Sequence, residues 1–310
     1  MDTLFTLPFW QIGIWVILLA FAAEYMDATL GMGYGTSLTP LLISIPLFGF
    51  APLQVVPAIL LSELVVGTFA GLFHNAVGNV TLFGDTMKFK PLTAAIEEKG
   101  FLGGLRHSMP RDLKMVVLIA SLSAVGAVTA ALIAIHIPEF FLKLYIAVLV
   151  LGIGIYILAT LRKTFKFTWG KLVGLGALAS FNKGMSGGGY GPVVTGGQLL
   201  SGVDAKASIA VTSLAEGFTC VFGLVTYIVA APHIDLSLTP YLLIGGLCSV
   251  PLSALSVKRM KTKRLRLLIG IAVIVLGSYS MIKVFWDPYI HSFLGSFAPQ
   301  GLMQVLDKVL

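Results

Sequence analysis

The sequence predicts an all-α integral membrane protein made of two inverted-topology repeats of about five helical elements each, with glycine-rich breaks in its helices. Three observations carry that prediction: apolar side chains dominate, a segment of the first half recurs in the second, and basic residues gather in loops whose charge character reverses between the halves. Of the 310 residues, 57% are hydrophobic and only 11% charged. Mean hydropathy is +0.93, well outside the usual range of soluble domains.

Runs such as "WVILLAFAAEYM", "MVVLIASLSAVGAVTAALIAI", "LYIAVLVLGIGIYILATL" and "LLIGIAVIVLGSYSMI" reach or approach the ~20 residues a helix needs to cross ~30 Å of hydrocarbon. The first run has no basic residue before it and no small-residue cleavage pattern after it, so it reads as a retained helix. Cys220 and Cys248 both fall in apolar segments, as small packing residues rather than a disulfide pair or thiolate metal site. A net charge of +7 invites a nucleic-acid partner, but the placement of the charge argues against one. Sixteen of the 21 lysines and arginines lie in three loops, 88–114, 162–171 and 258–266, which the positive-inside rule assigns to the cytoplasm.

Tyr34-Gly35 recurs as Tyr190-Gly191, "LSELVVGTFAGLF" recurs as "LAEGFTCVFGLVT" with Glu63 on Glu216, and "LYIAVLVLGIG" recurs as "LLIGIAVIVLG". The first repeat is residues 1–161, with an insertion at 75–112 that the second lacks; the second is 162–286, and 287–310 is a tail. In the first repeat the expected helices are 10–26, 36–48, 53–73, 113–135 and 140–161. In the second they are 169–181, 192–200, 205–230, 239–257 and 265–286. The connection after the third element is basic in the first repeat, whereas "APHIDLSLT" in the second carries no lysine or arginine. Before the fifth element the order is reversed: "IHIPEF" has none and "KRMKTKRLR" has many. Homologous halves with opposite bias are inserted upside down relative to each other, with both termini outside. Such halves suit alternating access, the logic of secondary transport; duplication that merely enlarges a bundle is the plainer alternative.

The glycine clusters "GMGYGTSLTP" and "SGGGYGP" interrupt apolar helices at equivalent places. Backbone that leaves a helix inside hydrocarbon needs partners in protein, water or substrate, so breaks mark cavities. The short helix after each break opens with free N–H groups and a positive dipole end, an anion receptor worth ~0.3–2 kcal/mol. The candidate substrate-binding residues are Gly33, Tyr34, Gly35, Thr36 and Ser37 in the first repeat. In the second they are Lys183, Ser186, Gly188, Gly189, Tyr190, Gly191 and Thr195. Glycines also permit close helix packing, the competing explanation. The spacing matches no nucleotide-binding fingerprint.

Glu24, Asp27, Glu63, Lys183 and Glu216 stand in or beside the expected spans, where each costs about 2.5–3.5 kcal/mol or more at mid-bilayer and must face a polar interior. Asp27 and Lys183 are repeat equivalents, either a salt bridge or a lysine that attracts substrate. For Glu63 and Glu216, also equivalents, proton coupling and structural hydrogen bonding to the broken helices are both open. Fourteen residues from Trp169 put Lys183 ~21 Å deep, past the middle of a ~30 Å core. On that count the two clusters sit at different heights.

His74, His107, His136, His233 and His291 fall in loops or at helix ends with no metal spacing, and no catalytic triad or cofactor site is expected. In the insertion, "KPLTAAIEEKG" reads as a short helix from Pro91 to Gly100. The tail "GLMQVLDKVL" reads as a small interfacial helix.

"DATLGMGYGTSLTPLLI", "LQVVPAILLSELVVGTFAGLFHNAVGNV" and the echo "SGGGYGPVVTGGQLLSGVDAKASIAVTSLAEG" resemble the sulfite exporter TauE/SafE family of membrane permeases, from Glu24 to about Lys283. The resemblance implies transport of small sulfur-containing anions, such as sulfite, sulfonates or sulfoacetate, across a prokaryotic inner membrane. The family's paired glycine-rich segments fall on Gly31 to Pro40 and Gly187 to Pro192. Tyr34 and Tyr190 depart from the family's commoner GxGGG pattern. A cation or other small-solute permease or channel is the alternative, since carboxylates outnumber Lys183. A membrane-embedded enzyme would need clustered catalytic groups at one interface, and none is visible.

Overall fold

The computed structural model describes residues 9–44, 50, 52–84, 87, 89–134, 139–163, 165–186, 190–230 and 234–286, and among them it is helical with no strand. The helices in chain order are α1 (Phe9–Leu30), α2 (Tyr34–Ser44), α3 (Pro52–Ala76), α4 (Phe89–Ser108), α5 (Arg111–Ala134) and α6 (Glu139–Ala159). There follow α7 (Trp169–Ser186), α8 (Tyr190–Leu200), α9 (Ala205–Ala230), α10 (Thr239–Arg259) and α11 (Thr262–Trp286). Five stretches of the described residues are long and apolar enough to span a bilayer: Ile12–Leu30, Gln54–Ala76, Ala205–Val229, Thr239–Arg259 and Thr262–Ile282. Large apolar side chains such as Trp15, Leu18, Ile155, Val229, Val275 and Ile282 are exposed on the outside, as lipid contact requires.

The helix pairings have an internal symmetry. The most extensive contacts pair α1 with α10, α5 with α7, α3 with α9 and α6 with α11. Exchanging each first-repeat helix for its second-repeat counterpart (α1 for α7, α2 for α8, α3 for α9, α5 for α10, α6 for α11) turns the first pairing into the second and leaves the other two unchanged. The α3–α10 and α5–α9 contacts exchange in the same way. At the α3–α9 crossing the chains come so close that a Cβ on Gly67 would stand 2.8 Å from the Ser213 carbonyl oxygen.

The three basic loops meet at one end of the molecule. Arg266 Nη1 donates to the Lys163 carbonyl (2.8 Å), and Lys206 Nζ to that of Lys258 (2.7 Å). The Arg266 guanidinium lies over Phe165 and that of Arg111 over Phe167, 5.3 Å and 5.1 Å from the ring centres. The insertion contains α4, whose helix breaks at Gly100 (φ 73°) where the sequence ends it, then resumes to Ser108. The tail at 287–310, with His291, lies outside the described residues, as do His136 and His233. Helix α7 runs five residues beyond its expected end, because nothing from Asn182 to Ser186 disfavours helix strongly enough to stop an already formed one.

Candidate functional site

Helix α1 stops at Gly31 (φ 74°) and the chain turns through Gly33 (φ 136°) before α2 begins at Tyr34; both backbone conformations strain any residue with a Cβ. Across from this break sits the start of α8. A Cβ on Gly191 would lie 2.7 Å from the Gly31 carbonyl oxygen and 2.8 Å from Met32 Cα, so the start of α8 packs backbone to backbone on this break. The Thr195 hydroxyl donates to the Gly31 carbonyl at 2.9 Å. The first break and the start of α8 therefore meet at one level, against the depth count from Trp169.

Between the breaks lies a cavity of about 80 Å³, lined by Asp27, Gly33, Gly35, Thr36, Thr39, Tyr190, Gly191, Pro192 and Glu216, with Glu63 and the apolar Val56, Ile59 and Leu60 on the α3 side. It suits a small solute, far below the ~300–1,000 Å³ of drug-sized pockets. The carboxylates arrive on separate elements: Asp27 from the last turn of α1, Glu63 from α3, and Glu216 from α9. All three are buried. Asp27 Oδ1 accepts from the Tyr34 amide at 3.3 Å, so the first donor of α2 is already taken by protein. The Glu63 carboxylate borders Gly35, with its oxygens 3.7 Å and 3.8 Å from where a Cβ would stand, and Glu63 Oε2 accepts from the Cys220 thiol at 3.3 Å. Cys220, expected only to fill space, thus also donates. Thr36 Oγ1 is buried without a hydrogen-bond partner.

The candidate residues separate into groups. Gly33, Gly35, Thr36, Tyr190, Gly191, Asp27, Glu63 and Glu216 line the cavity. Tyr34 does not: it is fully buried, its hydroxyl 3.0 Å from Ser62 Oγ and 3.5 Å from the Leu242 carbonyl, packed in the cluster of Leu38, Leu42 and Ile59. Its counterpart Tyr190 turns to α5, its hydroxyl 2.9 Å from Ser123 Oγ. Ser37 closes the first turn of α2 through its amide on the Gly33 carbonyl (2.9 Å) and is not part of the lining. Thr195 is a stitch between breaks, also 3.0 Å from Thr212 Oγ1. Lys183 and Ser186 fall on α7, with side chains outside the described residues, and Gly188 and Gly189 lie outside them altogether. Thr39, Pro192 and the apolar wall were missed, although Thr39 stands at the same repeat offset from Thr195 as Tyr34 from Tyr190.

Glu24, one turn before Asp27 on α1, is 2% exposed, with Oε1 lacking a hydrogen-bond partner, and is within electrostatic reach of Asp27, Glu63 and Glu216. His74 is structural: Asn79 Nδ2 approaches its Nδ1 at 3.0 Å, and its Nε2 meets the Ala28 carbonyl at 2.9 Å. Among the described residues no group of histidine, cysteine and acidic side chains is placed to hold a metal ion.

A cavity lined by carboxylates beside a helix break, in a lipid-facing helical bundle, suits a multi-pass membrane transporter. The comparisons with known proteins agree. The model of the sulfite exporter TauE/SafE family matches residues 100–280, more than half of the chain, and the protein belongs to that family. It is 23% identical over 306 residues to the probable membrane transporter protein YtnM of Bacillus subtilis (strain 168), covering 93% of this chain and 90% of that protein. No solved structure matches.

Proposed function

We propose that this protein is a secondary transporter for a small sulfur-containing anion of the sulfite, sulfonate or sulfoacetate type, moved together with protons by alternating access of two inverted halves. The observation that carries the reading is the single cavity that holds the starts of both short helices together with Asp27, Glu63 and Glu216. Helix starts favour an anion. The carboxylates oppose it: like unit charges 4 Å apart repel by about 4 kcal/mol at an effective dielectric near 20. Protons that arrive with the substrate remove that repulsion, which links the two fluxes.

The invariance of the helix pairings under exchange of the halves supports the repeat, and the reversed loop charge supports its inversion. The gathering of basic loops at one end supports a cytoplasmic face there. With these loops inside, both termini face outward across a bacterial inner membrane.

The test is uptake of radiolabelled sulfite, a sulfonate and sulfoacetate into proteoliposomes, with and without an imposed pH gradient. Flux of one of these that accelerates with the gradient supports the reading; anion flux indifferent to it removes the coupling. A second reading, a small-cation permease, is favoured by the same three carboxylates. Competition between sulfite and monovalent cations distinguishes them, because a cation route is blocked by the cation and untouched by sulfite.

A further inference from the structure

The two repeat-equivalent glutamates are not held alike. Glu63 Oε2 lies 3.3 Å from the Cys220 thiol, which reaches across the α3–α9 crossing and is fully buried. The register that aligns Glu63 with Glu216 aligns Gly67 with Cys220. On the other side of the crossing, therefore, the position that corresponds to the thiol carries no side chain. Gly67 cannot acquire one cheaply, since its Cβ would press on the Ser213 carbonyl. The symmetry of the helix pairings is not kept at this donor.

We propose that Cys220 is a positioning residue: its thiol holds the Glu63 carboxylate beside Gly35, at the first helix break, and sets the pH dependence of transport through that carboxylate. The inference rests on the proton-coupled reading above and extends it to a particular side chain. A thiol is a weak donor, and a hydrogen bond given to a carboxylate favours the ionised form. A glutamate side chain also has several rotamers, and a fixed donor selects among them. The other titratable groups around Glu63 are Glu24 and Asp27 from α1, Tyr34 from α2, Tyr190 from α8 and Glu216 from α9. Helix α10, packed on the far side of α3, places Gly246 against Val66 and adds no charge at that contact. Lys183 belongs to α7, which packs on α8 and α5.

The experiment uses the full-length protein with Cys248→Ser, which leaves Cys220 as the single thiol. The infrared S–H stretching band of the purified protein reports the hydrogen bond directly. It is expected at the lowered frequency of a bonded thiol and to move up in Glu63→Gln, a weaker acceptor. In proteoliposomes, Cys220→Ala is expected to raise the pH midpoint of anion flux by about 0.5–1 unit, whereas Cys220→Ser, which keeps a donor, restores the parent midpoint. A band indifferent to Glu63→Gln, or an unchanged midpoint in Cys220→Ala, overturns the proposal. Parent flux with no pH dependence removes the coupling reading itself; a band that still answers Glu63→Gln then leaves the contact standing and overturns its role in transport.

Discussion

The Thr195 hydroxyl, in the second turn of α8, donates to the carbonyl oxygen of Gly31 at 2.9 Å, a long-range bond made where α1 ends. Gly31 is where α1 ends, so its carbonyl is among the orphans a helix end leaves behind. In hydrocarbon no water stands ready to satisfy it. The bond makes one break the cap of the other, and the site is thereby a property of both halves together.

Thr195→Val removes this donor and leaves the Gly31 carbonyl buried. Interhelical hydrogen bonds in membranes are worth about 0.6 kcal/mol on average and up to about 1.7 kcal/mol. We expect Thr195→Val to unfold earlier than the parent in a thermal series in detergent, by that order of free energy, and Thr195→Ser to match the parent. Equal melting of the valine and serine variants removes the capping role.

The two glycines that face the cavity from opposite sides should respond differently to the same methyl group. At Gly191 a Cβ meets the backbone of Gly31 and Met32 at 2.7–2.8 Å, so Gly191→Ala must push the halves apart. At Gly35 a Cβ stands 3.7 Å from Glu63 Oε2, an ordinary contact. Gly35→Ala is therefore expected to keep the parent melting temperature while binding the anion more weakly, and Gly35→Leu to abolish binding by filling the cavity. Gly191→Ala is expected to lose stability and binding together. Anion-dependent thermal shift measures both quantities in one titration.

Much of the fold was legible because charge and glycine are conspicuous in an apolar chain. Asp27, Glu63 and Glu216 stood out by the cost of burying them, and all three line one cavity. What the repeat concealed was difference between equivalents. Tyr34 and Tyr190 occupy matching positions, yet one hydroxyl turns to Ser62 and the other to Ser123, and only Tyr190 lines the cavity. Side-chain direction depends on which neighbour offers an acceptor, and a sequence repeat carries no record of that. The role of Thr195 was illegible for the same reason: its partner is a backbone carbonyl 164 residues away.

That difference between the tyrosines is itself testable. Tyr34→Phe removes a hydroxyl from the packed cluster around Leu38 and Leu42, and Ser62 Oγ keeps its own bond to the Ile59 carbonyl (2.9 Å). The expected effect is a modest loss of stability with transport affinity unchanged. Tyr190→Phe alters the cavity wall and removes the hydroxyl that lies 2.9 Å from Ser123 Oγ. It is expected to change the apparent affinity for the anion more than the melting temperature. Reversed effects would place the substrate on the Tyr34 side.

The orientation of the halves leads to the last prediction. The loop at 162–171 and the loop at 258–266 share an end of the molecule through Arg266 and the Lys163 carbonyl. On the proposed topology positive-inside bias puts that end in the cytoplasm, and the connection before α10, which carries no lysine or arginine, on the other side. Single cysteines introduced at Lys163, at Lys261 and at Ser237, in a background with Cys220→Ser and Cys248→Ser, report each side through a membrane-impermeant maleimide. We expect Ser237→Cys to react in intact cells, and Lys163→Cys and Lys261→Cys only after permeabilisation. Reaction of the two loop cysteines from opposite sides would contradict both the charge argument and the contact between Arg266 and Lys163, and with them the inverted repeat on which alternating access depends.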